Sequence, residues 1–227
     1  MAATLPSFWM NASMIHSIKI VTFTLCAAIC FSHFDAHAQA GDESTDRIQI
    51  ISPAHPVWLI EKPYAESPML TASTYGDSAY SGYHSKATLE ISCHPQNPEA
   101  GFRLQIAPQA LGFNSGAFEG PDVSARGSMR ITTGTRTAVD HKVSGSWTDG
   151  GVFQVGTIFS FEAPIPRDEL AYWASDASRG QPLQLLLAPK AGGKLLTATF
   201  SLPKNNEGLK KVVRRCLSTV AATPVRL

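Results

Sequence analysis

Alternation of apolar and polar positions dominates the chain. From Lys86 to Cys93, Ala87, Leu89, Ile91 and Cys93 alternate with Lys86, Thr88, Glu90 and Ser92, the period of a strand with one dry face. Phe102, Leu104 and Ile106 alternate with Arg103 and Gln105 in the next candidate. The same spacing recurs at Phe153, Val155, Phe159 and Phe161 within residues 152–161, at Leu183, Leu185 and Leu187, and at Leu196, Ala198, Phe200 and Leu202. Weaker alternation at 57–61, 69–75, 129–133 and 138–147 adds further strands, and Asp149-Gly150 at the end of the last is a hairpin signal.

Two segments change period. Pro166, Asp168 and Glu169 stand where a helix start favours proline and negative charge, ahead of Leu170, Trp173 and Ala174 at i, i+3 and i+4, which predicts a short helix near 166–174. Leu209, Val212, Val213, Cys216, Leu217 and Val220 recur at helical spacing, with Lys210, Lys211, Arg214 and Arg215 on the other face, which predicts a C-terminal helix near 206–220. The expected architecture is mainly β: an antiparallel β-sandwich of about 7–9 strands carrying these two helices.

Composition narrows the function classes. The chain has 227 residues, 44% of them hydrophobic and 16% charged, enough apolar material for a packed core and too little charge for a disordered polymer. Lys and Arg number 19 against 18 Asp and Glu, a net charge of +1, so no whole-surface grip on nucleic acid is expected. Gly at 17 and Pro at 15, without a fixed period, suit turns between short strands.

The first forty residues read as an address. Lys19 precedes an apolar run from Ile20 to Phe31, too short for about 30 Å of hydrocarbon and suited to a signal-peptide core. Ala36-His37-Ala38 and Ala38-Gln39-Ala40 are overlapping cleavage patterns, so residues 1–40 are read as a signal peptide and 41–227 as one exported domain, beginning at Gln39 or Gly41. A translation start at Met14 would place Lys19 just before the apolar core. A lipoprotein reading of Cys26 or Cys30 puts Leu25 or Ile29 where a small residue is needed, so no lipid anchor is expected. No later segment is apolar enough to span a membrane once this leader is removed; a bacterial periplasmic or secreted location follows.

Cleavage leaves Cys93 and Cys216. Cys93 falls in the apolar register of its strand and Cys216 in the apolar stripe of its helix, so both face the core, and an exported chain with two cysteines is expected to join them. Two reduced buried thiols are the alternative.

The order of these parts is familiar. Trp58 opens a strand, Ala87-Thr88-Leu89-Glu90-Ile91-Ser92-Cys93 follows, β-rich sequence runs through Trp147 and Phe153, and Leu195-Leu196-Thr197-Ala198-Thr199-Phe200-Ser201-Leu202 precedes a helix with Cys216. This order resembles the periplasmic type VI secretion-associated family of VasI and is similar, more distantly, to invasion-associated locus B proteins. Leu202-Pro203-Lys204-Asn205 departs from the turn those relatives carry before the helix. The resemblance implies an accessory protein of a secretion apparatus and assigns no catalytic residue.

Motifs for chemistry fail on geometry. Ser201-Leu202-Pro203-Lys204 has the Ser-x-x-Lys spacing, but Pro203 and the strand before Ser201 break the helical turn that motif needs. Residues 188–195 have the outline of a phosphate loop, yet Ala188 replaces its first glycine and Leu195 its metal-binding hydroxyl, so a hairpin turn is expected. His55, His84, His94 and His141 show no metal-ligand spacing. Asp140 and His141, neighbours on a strand, face opposite ways and cannot act as orienter and base. No catalytic residue, cofactor or metal is assigned.

Two segments carry the composition of binding loops. Tyr75, Tyr80 and Tyr83 lie among Gly, Ser and Asp, and Phe113 and Phe118 lie in a glycine-rich stretch from Gln109 to Gly127. These five residues are the candidate partner-binding set, and the basic face of the C-terminal helix reads as solvated. The expected function is that of a non-catalytic, periplasmic, partner-binding accessory protein of the cell envelope. The alternatives are a periplasmic inhibitor or ligand-binding module and, third, a hydrolase whose site is assembled from distant residues.

Overall fold

The computed structural model describes residues 51–94, 96, 99–120, 127–151, 153–189 and 192–218; the leader assigned to 1–40 lies outside them. Nine strands occur among the described residues: β1 (Leu59–Glu61), β2 (Leu70–Tyr80), β3 (Tyr83–Cys93), β4 (Ala100–Ile106), β5 (Gly127–Thr133), β6 (Val139–Asp149), β7 (Thr157–Ile165), β8 (Pro182–Pro189) and β9 (Leu196–Ser201). Three helices accompany them, α1 (Pro108–Leu111), α2 (Arg167–Trp173) and α3 (Glu207–Leu217). None is long and apolar enough to cross a membrane.

Every ladder is antiparallel, and the order runs β2-β3-β4-β7-β6-β5-β8-β9. The last strand returns to the first, with Gly76 opposite Phe200 and Ala79 opposite Thr197. The sheet is therefore a closed eight-stranded barrel, with β1 added beside the first half of β2 through Leu59↔Ser73 to Glu61↔Thr71. The expected sandwich is corrected to a barrel. Alternation reports one dry face and has the same period in either architecture; what decides between them is the β2–β9 pairing. On β2 that pairing uses Gly76 and Ser78, small residues that leave no apolar signal.

Closure leaves an interior just wide enough to be filled by side chains. Leu89, Leu104, Phe159, Phe161, Met129, Ile131, Leu185 and Leu196 are fully buried there. The large rings need small neighbours. Gly145 on β6 lies opposite Phe161, and a Cβ at Gly145 would stand 2.3 Å from Phe159 Cε1, so only glycine leaves room for that ring.

Helices and short turns cover both barrel ends. At one, α2 buries Leu170 and Trp173, whose indole Nε1 donates to Thr133 Oγ1 at 3.0 Å. Beside it, α3 buries Leu209, Val212, Val213 and Cys216, and Cys216 is bonded to Cys93 at the end of β3 with a Cα–Cα distance of 6.0 Å. The buried Asn206 ties the two helices together, donating to Ser175 O at 2.6 Å and Ser178 Oγ at 3.2 Å. At the other end, α1 and a 3-10 turn at Ser115–Phe118 bring Leu111, Phe113 and Phe118 over the core.

Two local expectations change. The strand expected over 152–161 begins only at Thr157; Phe153 lies outside the barrel against Tyr75, with ring centroids 5.7 Å apart, and Val155 is fully exposed. The tyrosine-rich segment is a hairpin rather than a loop, because Tyr80 and Tyr83 pair across Ser81 and Gly82, at φ 53° and 88°. Positive φ at both central positions matches the right-handed twist of the flanking strands, and glycine adopts it without strain.

Candidate functional site

Among the described residues, the barrel wall parts between β6 and β7. The β6–β7 ladder runs from Asp149↔Thr157 to Ser144↔Glu162 and stops, while β6 continues back to Val139 paired with β5 alone. Two prolines explain the stop. Ala100 and Ile165 pair across the β4–β7 ladder, and since Pro164 and Pro166 have no N–H, Ile165 itself must make the two bonds to Ala100. Residues of alternate parity point their backbone groups the other way, so Pro164 and Pro166 face β6 with no donor to offer it.

Beneath and beside this break lies a groove of about 890 Å³ on the outside of β3, β4, β7 and β6. Its volume falls within the range of ligand pockets, roughly 300–1,000 Å³. The outward-facing residues of the four strands line it: Glu90 and Ser92, Arg103, Glu162 and Pro164, and Asp140, Lys142 and Ser144.

Arg103 is the central charge. Its Nε donates to Glu162 Oε1 at 2.8 Å and its Nη1 to Glu90 Oε1 at 3.2 Å, so one guanidinium serves two carboxylates. Burial pushes the Glu90 carboxyl above the ordinary value of 4.5; Arg103 opposes this, and the nearby Glu61 and Glu162 add to it. Folding therefore favours protonated Glu90. Its contribution to stability is greatest below the ordinary glutamate range and declines as pH rises through its folded value. Glu90→Gln is accordingly expected to gain stability relative to wild type as pH rises past 4.5, read as the difference between their melting temperatures. A difference that grows toward acid pH instead contradicts the assignment. Across the groove, Arg130 of β5 holds Asp140 with two bonds, 2.9 and 3.0 Å, and these keep the Asp140 carboxyl below its usual range.

The floor is a buried histidine. His141 points inward from β6 and is only 6% exposed, edge-on to Phe102 with ring centroids 5.3 Å apart. Its Nε2 stands 3.1 Å from Oε2 of Glu169, also 6% exposed, yet off the line a hydrogen bond needs, so both atoms lack one. Asp140 and His141 do face opposite ways, as the strand period required; the imidazole's carboxylate comes instead from α2. The sequence held a signal for this, since a histidine in the inward register of His141, Val143 and Gly145 must find a polar partner. A histidine beside a carboxylate has the makings of a base and its orienter, but base catalysis needs a nucleophile within hydrogen-bond reach of the imidazole. Among the described residues, the polar contact of His141 is Glu169.

The aromatic residues singled out from the sequence do not gather into one patch. Phe118 is 0% exposed and Phe113 nearly so, both packed on Phe161 at 5.2 and 6.3 Å between ring centroids. Tyr80 meets Phe113 edge-on at 5.1 Å, Tyr75 lies on the outer wall under Phe153, and Tyr83 alone of the five is largely exposed, at 62%. Residues 121–126 of the second glycine-rich stretch lie outside the described residues. Ser201 ends β9 and Lys204 is exposed beyond Pro203; the segment before Leu196 joins β8 to β9 as a hairpin. No group of three or more metal-ligating side chains occurs among the described residues.

Fold and groove together define a closed antiparallel barrel with a solid interior and a charged cleft in its wall. No family model, curated protein or solved structure matches this chain.

Proposed function

We propose that this protein is a non-catalytic, exported, partner-binding protein of the cell envelope, and that its partner docks in the groove where β6 parts from β7. The observation that carries this reading is the opening itself: the barrel interior is filled with side chains, whereas the wall offers a wide cleft rimmed by charge. Export is supported by the leader-like N-terminus and by the Cys93–Cys216 bond, a linkage suited to oxidising compartments. By the order of its strands and cysteines the chain resembles the VasI family, and on that resemblance the partner belongs to a secretion apparatus.

A photo-crosslinking residue placed at Lys142, exposed on the groove, tests the docking site in the native host, with the same residue at Thr199, exposed on β9, as control. A discrete adduct from position 142 and none from 199 is expected. No adduct, or equal adducts from both, removes the groove from the account. The identity of the adduct separates an envelope component from the soluble target that an inhibitor would hold. The buried His141–Glu169 pair favours one further reading, a hydrolase, and turnover by the purified protein that His141→Ala abolishes would establish it.

A further inference from the structure

The C-terminal end of α3 lies at the mouth of the groove, and two contacts hold it there. Cys216, in the last turn, is bonded to Cys93, which pairs with Ala100 where the β4 wall of the groove begins. Leu217 O accepts from Arg167 Nη2, and Arg167 directly follows Pro166, which lines the β7 wall. The helix stops immediately beyond. Ser218 has extended backbone, φ −70° and ψ 119°, and its N–H closes the last turn on Arg214 O. The chain therefore leaves α3 close to Ala100 and Pro166, at the edge of the groove.

Residues 219–227 continue from this point and lie outside the described residues. Their sequence is Thr219-Val220-Ala221-Ala222-Thr223-Pro224-Val225-Arg226-Leu227. Thr219, Val220, Thr223 and Val225 are β-branched and Pro224 excludes the interior of a helix, so the segment favours extended backbone. Arg226 is its one charge, and its apolar side chains gain by leaving water. Nine extended residues reach about 30 Å, three times the roughly 10 Å from Ala100 to Arg103 along the β4 wall. The groove leaves room for them. Ser92, Gly101 and Pro164 are adjacent across β3, β4 and β7, and a Cβ at Gly101 would meet nothing nearer than Ser92 Oγ at 3.6 Å.

We propose that residues 219–227 lie in the groove as a strap, which a docking partner must displace. Tethered at the mouth, the segment has an effective concentration there on the order of millimolar, so weak contacts suffice to seat it. The seating of the strap is independent of the docking function proposed above; its competition with a partner rests on that reading.

The purified mature protein carrying the photo-crosslinking residue at position 142 tests the strap with no partner present. An adduct joining position 142 to residues 219–227 is expected, and none from position 199. Mixing isotopically heavy and light chains separates adducts within one chain from those between two. In the native host, ending the chain after Ser218 keeps every packed residue of α3 and the Cys93–Cys216 bond, and is expected to raise the partner adduct from position 142 about fivefold. A tail of equal length made of glycine and serine repeats the test if the shortened chain does not fold. No adduct to the tail, equal adducts from position 199, or adducts formed only between heavy and light chains overturn the strap, the last in favour of a second copy of this chain. A tail adduct beside a partner adduct that truncation leaves unchanged overturns the competition. A tail adduct with no partner adduct in any variant refutes docking and upholds the strap.

Discussion

Removing the Cys93–Cys216 bond is expected to cost more stability than any other single change in this protein. The bond closes 123 residues of sequence and joins a strand end to a helix that otherwise rests on the barrel by its apolar stripe. A loop of that length is valued at about 5 kcal/mol by the chain-entropy account, the upper end of what native disulfides contribute. Urea unfolding of wild type without reductant, wild type with dithiothreitol, and Cys216→Ser should yield one stable protein and two destabilised ones of equal midpoint. Adding Cys93→Ser to Cys216→Ser should then change little, since both remove the same bond. Equal midpoints in all of these proteins would show that the bond contributes nothing.

Phe118→Ala is expected to be among the most damaging changes at an aromatic position. The ring is fully buried, 5.2 Å from Phe161 and 6.0 Å from Phe113, and its loss opens a cavity where the 3-10 turn covers the barrel end. Truncations of this kind typically cost about 3–5 kcal/mol. Tyr83→Ala, at an exposed position on the hairpin, should stay within about 0.5 kcal/mol of wild type. Chemical denaturation of the two variants side by side separates these outcomes. Comparable small losses would mean that the Phe118 ring is not part of the core.

The sequence was most informative where one side of an element is dry. The alternation at Ala87, Leu89, Ile91 and Cys93 located the end of β3, which starts three residues earlier than the expected Lys86, and the helical recurrence through Cys216 located α3, so the disulfide followed from two registers. It was least informative where pairing partners are small or distant. Gly76 and Ser78 close the barrel without apolar character, and nothing local announces that Phe200 will lie beside them. The aromatic stretch around Phe113 and Phe118 had the composition of a mobile binding loop, but two rings with a packed core within reach are buried rather than displayed. The groove was invisible for another reason. Its members come from β3, β4, β6 and β7, and the feature that creates it, the missing N–H of Pro164 and Pro166, acquires meaning only once β6 is known to be the neighbour.

The β2–β9 seam has a consequence for how the molecule comes into being. Chains are made from the N-terminus, so β2 and β3 can form their hairpin long before the residues of β9 exist. Until Thr197–Phe200 arrive, the Gly76–Ala79 stretch of β2 is an open edge, a template for any strand that passes. Joining the two requires contacts between residues far apart in sequence, a slow event whose entropic cost is met before its reward. Neighbouring chains compete for the edge in the meantime, so the fraction that reaches the closed barrel should fall as protein concentration rises during refolding.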